Sequence, residues 1–282
     1  MGRVAGVLGG GTMGVGIVHA LLVAGDEVVL VERDRAEADR ARDRVAASLT
    51  KAVERGKLDA DPDALLGRLT AADDVAAFAG VHLAVEAVPE DATLKRRVLA
   101  GIEAAVGDDV VVGSNTSSLS IDGLASALER PHRFVGTHFF NPVPASQLLE
   151  VVRGSATTDA TVELARDLAR RLGLEPIVVG DAPGFATSRL GLALGLEAIR
   201  MVEDGVASAE DIDTAMRLGY KHPVGPLRLT DLVGLDVRLG IAEHLTRELG
   251  PRFTPPQLLR DKVAAGELGR KSGRGFFDWS DA

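Results

Sequence analysis

Residues 3–32 read RVAGVLGGGTMGVGIVHALLVAGDEVVLVE. A short β-branched run, Arg3–Leu8, passes into glycines and then into apolar residues at helical spacing that stop at Gly25, a natural residue just past a helix end. A second apolar run follows and finishes in Glu32. Strand, glycine turn, helix and strand in that order predict the first βαβ unit of a doubly wound, mostly parallel sheet. Within the turn, Gly9, Gly11 and Gly14 space as G-x-G-x-x-G, with Thr12 and Met13 between them.

Each glycine has a physical task. Gly9 permits the tight turn, Gly11 lets backbone approach a pyrophosphate, and Gly14 lets helix pack on strand, while the helix N-terminus offers N–H groups and a positive dipole end. Glu32 lies about 20 residues further on, where such folds place the acid that binds the adenosine ribose diol. A carboxylate there would repel a 2′-phosphate, which favours NAD over NADP, although Arg33 and Arg35 follow closely and would soften that preference.

Working outward, a charged helical region over about 35–57 and a helix–loop stretch lead to a strand at Val81–Val88. A helical segment, a strand over residues 109–114 and the polar stretch Asn115–Ser118 come next. A strand over Arg133–Thr137 puts His138 at its carboxyl end, and a strand over Gln147–Val152 carries Glu150 inside an apolar run. After residue 181 the pattern is helical throughout: about 185–204, then 208–219, one long helix over 227–249, and 255–266. The expected division is a Rossmann-type NAD-binding domain over residues 1–182 and a smaller all-α domain over residues 183–282.

At 282 residues the chain is long enough for about two domains. A formal charge of -9 argues against a nucleic-acid partner, which would need a basic footprint. The absence of cysteine removes disulfides, thiolate metal sites and cysteine nucleophiles, and no metal site is expected. No apolar run reaches membrane-spanning length and no leader-like pattern precedes Arg3, so the expected location is the cytoplasm, with no membrane partner.

In open α/β sheets ligands sit outside the carboxyl ends of the strands. Asn115–Ser118, His138 and Glu150 all fall at such places. A histidine beside Phe139 and Phe140 would, alone, read as structural. A carboxylate inside an apolar strand is harder to leave unpaired, since burial costs several kcal/mol or protonates it. An imidazole about 4 Å away gains roughly 4 kcal/mol at an effective dielectric near 20, before desolvation. A His–Glu pair beside a dinucleotide site is a general acid/base with an orienting carboxylate.

Seven stretches, GVLGGGTMGVGI, SNTSSLSI, GTHFFNPVP, LLEVV, DAPGF, DIDTAM and LGRKSGRGFFDW, occur in this order along nearly the whole chain. Together they resemble the L-3-hydroxyacyl-CoA dehydrogenase family, most of all its short 3-hydroxybutyryl-CoA type. The resemblance implies NAD-linked interconversion of a short (S)-3-hydroxyacyl thioester and its 3-oxoacyl form. It also implies that His138 is the acid/base, Glu150 its orienting carboxylate, and Ser117 the hydrogen-bond partner of the reacting oxygen. Asn115, Asn141, Glu90 and Lys95 match positions on the cofactor side. The helical domain of the family dimerises and closes over the thioester, so a homodimer is expected.

The handle of the thioester has two readings in the basic run after residue 39. Interleaved with acids, the run reads most simply as a solvated helix pair; the alternative is that Ser48, Lys51 and Arg55 hold the phosphates of a CoA-like handle.

Two positions depart from the family pattern. After P-G-F the family has two residues and then an asparagine that helps hold substrate; this chain has Ser188 there. Serine keeps a donor and an acceptor but lacks the planar amide, and loss of one positioning contact costs about 2.7–4 kcal/mol of barrier. Neighbouring Thr187 reads as a helix cap and Arg189 as a solvated or phosphate-facing charge. Gln147 stands where the resembling stretch usually has lysine. Both changes sit at the substrate end and point to an altered acyl group or handle. The alternatives are the same chemistry on an acyl-carrier-protein thioester in secondary metabolism, a sugar-acid 3-dehydrogenase, and a non-enzymatic NAD-binding structural protein.

Overall fold

A computed structural model describes residues 2–280. The chain divides into two compact units, one ending at Asp181 and one beginning at Ala182.

The first unit alternates strands and helices: β1 (Val4–Leu8), α1 (Thr12–Val23), β2 (Glu27–Val31), α2 (Arg35–Glu54), α3 (Pro62–Leu66), β3 (Leu69–Ala72), β4 (Leu83–Glu86), α4 (Ala92–Ala105), β5 (Val111–Ser114), α5 (Ile121–Ala125), β6 (Phe134–Phe139), β7 (Leu148–Arg153), α6 (Asp159–Arg171) and β8 (Glu175–Gly180). They form one sheet in the order β3-β2-β1-β4-β5-β6-β7-β8. Its pairs are parallel except β6–β7, which is antiparallel. The doubly wound α/β class expected from the alternation is therefore observed.

Because β1 is flanked by β2 on one side and β4 on the other, connections from β1 and β4 leave in opposite directions, and a crevice opens at their carboxyl ends. The apolar stripes of α1, α2 and α6 close one continuous core with the strands, including Ile17, Leu21, Val45, Leu168, Val7, Leu30, Val135 and Leu149. Burial of such side chains contributes roughly 1.5–3 kcal/mol each before entropy is counted. Asp26, in the turn before β2, pairs with Arg171 at the end of α6 through contacts of 2.8 and 3.1 Å, tying the two helices' ends together.

Helix starts follow local chemistry. The Asp34 carboxylate accepts from the Glu37 N–H at 2.8 Å and starts α2, and Asp91 does the same for α4 with the Leu94 N–H at 2.6 Å. Helix α1 differs: its cap position is Gly11 and no side chain caps it.

The second unit contains α7 (Thr187–Glu203), α8 (Ala209–Gly219), α9 (Pro226–Val233), α10 (Leu235–Leu249) and α11 (Gln257–Ala264). Its core gathers Leu192, Leu196, Ile199, Leu227, Leu235, Leu245 and Leu259. The single helix expected over 227–249 is two, broken at Gly234, whose φ of 104° lies outside the helical region. The Asp231 carboxylate, 1 % exposed, accepts from the N–H groups of Phe276 and Phe277 and from Trp279 Nε1 at 2.8–2.9 Å, anchoring the C-terminal segment.

Candidate active site

The crevice beyond β1 and β4 encloses about 1090 Å³ and is lined by Gly9, Gly11, Thr12, Met13, Glu32, Arg44, Ala87 and Val88, among others. The glycines there are required by contact. Gly9 has a φ of 105°, and a Cβ on Gly14 would lie 1.8 Å from the Gly9 carbonyl oxygen. A Cβ on Gly11 would meet nothing within 4 Å, so backbone is open to the crevice at the uncapped start of α1. Open backbone and unfilled helix N–H groups suit the pyrophosphate of a dinucleotide.

Glu32 follows β2 at the crevice wall. Its Oε1 accepts from the Gly10 N–H at 2.7 Å and its Oε2 from the Arg33 N–H at 3.1 Å. Arg44 holds the other backbone group of the same residue, donating to the Gly10 carbonyl at 2.9 Å. Gly10 and Arg44 were not singled out by the glycine spacing; the signal was the middle glycine of three in a row, where a Cβ would strike Ala41. Arg33 pairs with Glu37 at 3.1 Å and Arg35 with Asp39 at 2.6 Å, so both guanidinium groups that would welcome a 2′-phosphate are held by carboxylates.

His138 lies inside β6 instead of just beyond it, and Glu150 stands directly opposite on β7. Nδ1 of His138 is 2.7 Å from Glu150 Oε2. A carboxylate accepts only, so Nδ1 carries the proton and Nε2 is the basic nitrogen. Glu150 is fully buried and His138 nearly so, with the ring 4.5 Å from that of Phe140.

Next to β6, the loop after β5 is built around Glu90. Its Oε1 accepts from Thr116 Oγ1 at 2.6 Å, from the Ser117 N–H at 2.9 Å and from the Ser118 N–H at 3.1 Å. Desolvation opposes its charge, but the Lys95 ammonium, the Thr116 hydroxyl and the Ser117 N–H outweigh it and hold the carboxyl below its ordinary value. Ser117 itself is exposed, with Oγ 3.3 Å from Glu90. Asn115 accepts from the Phe139 N–H at 2.9 Å through Oδ1, linking the loop to β6.

Lys95 is 1 % exposed, and its Nζ lies 2.6 Å from Glu86 Oε1, 3.1 Å from the Val88 carbonyl and 3.4 Å from Glu90 Oε2. Its ammonium thus faces protein groups. Glu86, fully buried at the end of β4, also accepts from Ser114 Oγ at 2.6 Å. Sequence reasoning missed Glu86 because its strand reads as apolar on either side; the acid at the carboxyl end of a buried strand was the available signal. Asn141 is exposed beside the cis Asn141–Pro142 bond.

Ser48, Lys51 and Arg55 share one face of α2 and its end, as their spacing of three and four requires. Lys51 and Arg55 are exposed, whereas Ser48 Oγ is 2.9 Å from Nδ1 of buried His19. Burial lowers the His19 pKa. Among the described residues no group of three or more His, Cys, Asp or Glu residues is placed to hold a metal ion. No helix of the described residues is long and apolar enough to cross a membrane.

In the helical unit, α7 begins at Thr187 with Ala186 at the cap position and no side-chain cap, so Thr187 is a helical residue and not the cap expected of it. Ser188 and Arg189, both partly exposed, lie in the opening turn. Gln147 is exposed just before β7.

Residues 4–182 match the model of the 3-hydroxyacyl-CoA dehydrogenase NAD-binding domain, and residues 184–279 match that of the 3-hydroxyacyl-CoA dehydrogenase C-terminal domain. The chain belongs to the 3-hydroxyacyl-CoA dehydrogenase family. It is 42% identical over 278 residues to the 3-hydroxybutyryl-CoA dehydrogenase of Mycobacterium tuberculosis, covering 97% of each protein. It is likewise 42% identical over 275 residues to a probable 3-hydroxybutyryl-CoA dehydrogenase of Deinococcus radiodurans, covering 97% of this chain and 99% of that protein. Among solved structures, (S)-3-hydroxybutyryl-CoA dehydrogenase from Ralstonia eutropha superposes with a TM-score of 0.93 at 40% identity, covering both chains fully. This family member is an NAD-dependent oxidoreductase, and its first unit is the NAD-binding domain.

Proposed function

We propose that the protein interconverts a short-chain (S)-3-hydroxyacyl-CoA and its 3-oxoacyl-CoA, with 3-hydroxybutyryl-CoA as the reference substrate. The observation that carries this reading is the buried His138–Glu150 pair, 2.7 Å apart, at the strand end next to the Ser117 loop. The names of the most similar relatives support the acyl class.

The residues divide the work as follows. Gly9, Gly11, Thr12, Met13 and Gly14 hold the pyrophosphate on backbone, and Glu32 holds the adenosine ribose. Asn115 and Asn141 border the nicotinamide side. NAD, when bound, takes or returns the hydride at C3 of the acyl group. In oxidation, Nε2 of His138 removes the proton of the C3 hydroxyl. Glu150 stabilises the imidazolium that results, and in reduction the same proton goes back to the oxygen.

Ser117 hydrogen-bonds the reacting oxygen. Its place is set by Glu90, which is in turn held by Lys95; Glu90 and Lys95 are therefore positioning residues. Lys51 and Arg55, with Ser48 beside them, meet the phosphates of the CoA handle, and Ser188 stands where the family pattern has its substrate-holding asparagine. The helical unit exposes Leu190, Leu218, Tyr220 and Val237, at 71%, 63%, 76% and 45%, and a second copy of the chain covers this apolar surface.

The test is NADH oxidation with acetoacetyl-CoA, run beside the same acyl group on a carrier protein. Turnover of the CoA form supports the reading, and turnover of neither contradicts it.

A further inference from the structure

Helices α1 and α2 pack together in the first unit, and a polar contact lies in their seam. His19, in the second half of α1, is 5% exposed, and its Nδ1 is 2.9 Å from Ser48 Oγ on α2. Burial lowers the His19 pKa, so the ring is neutral near pH 7 and carries one N–H. Neither side chain caps its helix, and neither belongs to the proton transfer at His138.

A neutral imidazole leaves two arrangements for this contact. With the proton on Nε2, Nδ1 accepts the serine hydrogen, and Ser48 turns only lone pairs outward. With the proton on Nδ1, the ring donates to Oγ, and the Ser48 hydrogen is free to donate elsewhere. The surroundings of Ser48 decide which is useful. Lys51 and Arg55 follow it on the same face of α2, and both are exposed. The ion pairs of α2 among the described residues lie in its first three turns, at Arg35, Glu37, Asp39, Arg40 and Arg44. A phosphate between Lys51 and Arg55 accepts hydrogen bonds, so it is repelled by a serine showing lone pairs and held by one showing its hydrogen. Helix α1 also packs on residues 143–145, just past the strand of His138, and a Cβ on Gly16 would strike Val143 at 2.8 Å. Gly16 and His19 are three residues apart, so the Ser48 contact lies about one turn of α1 from the segment that leaves β6.

We infer that His19 is a positioning residue for the thioester handle: its Nδ1–H donates to Ser48 Oγ and so turns the Ser48 O–H toward a phosphate held by Lys51 and Arg55. The inference rests on the reading that this face of α2 meets the phosphates of the handle. It leaves the hydride and proton steps unchanged, and no proton leaves His19.

The full-length enzyme tests this with acetoacetyl-CoA and acetoacetyl-pantetheine, which share the reacting end and differ by the phosphates. The readout is the ratio of kcat/KM for the two, taken on one preparation, so that any loss of folded enzyme cancels. Ser48→Ala should lower the ratio by about tenfold or more, the size of one hydrogen bond to a charged group. His19→Leu should lower it by about three- to tenfold when Ser48 is present, and not further when Ser48→Ala is already in place. His19→Gln, whose amide keeps a donor, should retain most of the ratio. If His19→Leu fails to fold, a measurement on the wild type serves. With CoA bound, the ring-nitrogen NMR shifts of His19, assigned by the signal lost in His19→Gln, should show the proton on Nδ1.

A ratio that Ser48→Ala lowers and His19→Leu leaves unmoved overturns the inference while the phosphate reading stands. An equal drop from His19→Leu with and without Ser48 overturns it too, since His19 then acts through another contact. So does a proton on Nε2 in the CoA complex. If Ser48→Ala, Lys51→Ala and Arg55→Ala all leave the ratio at the wild-type value, the phosphate reading itself fails and the inference falls with it.

Discussion

His138 and Glu150 occupy directly opposed positions on β6 and β7, with Nδ1 2.7 Å from Oε2 across the antiparallel junction of an otherwise parallel sheet. The reversal of β7 is what brings a residue near its start beside one near the end of β6. A parallel β7 would put its first residues at the other edge of the sheet.

Replacing Glu150 with Gln keeps the shape and removes the charge that stabilises a protonated His138. General acid/base catalysis contributes about 10²–10⁴, so kcat for acetoacetyl-CoA reduction should fall within that range while NADH affinity stays near wild type. Steady-state kinetics across pH, paired with NADH fluorescence titration, checks both halves. An unchanged kcat would remove Glu150 from the mechanism.

In the proposed site Glu32 lines the crevice as the ribose-binding acid, while Arg33 and Arg35 are engaged with Glu37 and Asp39. Glu32→Ala should lower kcat/KM for NADH and raise the NADPH-to-NADH ratio. Kinetics with both cofactors reads this directly, and a ratio that does not rise would show that the ribose is held elsewhere.

Glu90 gives a pH-dependent prediction. Its folded pKa lies below the unfolded value near 4.5, so its stabilising effect is present above that value and lost as pH falls through the folded pKa. Over the window from about pH 4.5 down through the folded value, the wild type should lose more stability than Glu90→Gln. Parallel denaturant melts over that window measure it. Equal losses would mean that the Ser117 loop does not depend on the carboxylate.

Ser188→Asn restores the longer amide expected from the family pattern. If the pocket is only a weakened version of that pattern, kcat/KM for acetoacetyl-CoA should rise by about 10²-fold, the usual worth of one positioning contact. A fall would instead support a pocket reshaped for another acyl group.

Asp231 is predicted to carry stability. Asp231→Ala leaves three donors of the C-terminal segment without their acceptor, at about 1–3 kcal/mol for each unsatisfied group. Calorimetry should show a clear drop in Tm, and a drop under about 2 °C would mean that the segment is held by its apolar contacts.

Much of this was readable from residues alone. The glycine turn and Glu32 carried the first βαβ unit because glycine spacing, helix entry and a strand-end acid obey one geometric scheme. Glu150 stood out because a carboxylate in an apolar strand needs a partner. Other features were hidden for physical reasons. Strand β3, with only Leu69 fully buried among its four residues, lacks the apolar run that marks a strand. The break at Gly234 looked like one more helical residue, since its positive φ leaves no trace in hydrophobic spacing. Glu86 and Lys95 neutralise one another across the β4–α4 connection, which no periodicity displays.

In the proposed mechanism His138 moves the proton while other residues bind the cofactor. The most direct measurement compares wild type and His138→Ala in two assays, NADH binding by fluorescence and NADH-dependent reduction of acetoacetyl-CoA. Binding should be nearly unchanged, and turnover should fall by about 10²-fold or more. Turnover retained at the wild-type rate, with NADH binding intact, would contradict it.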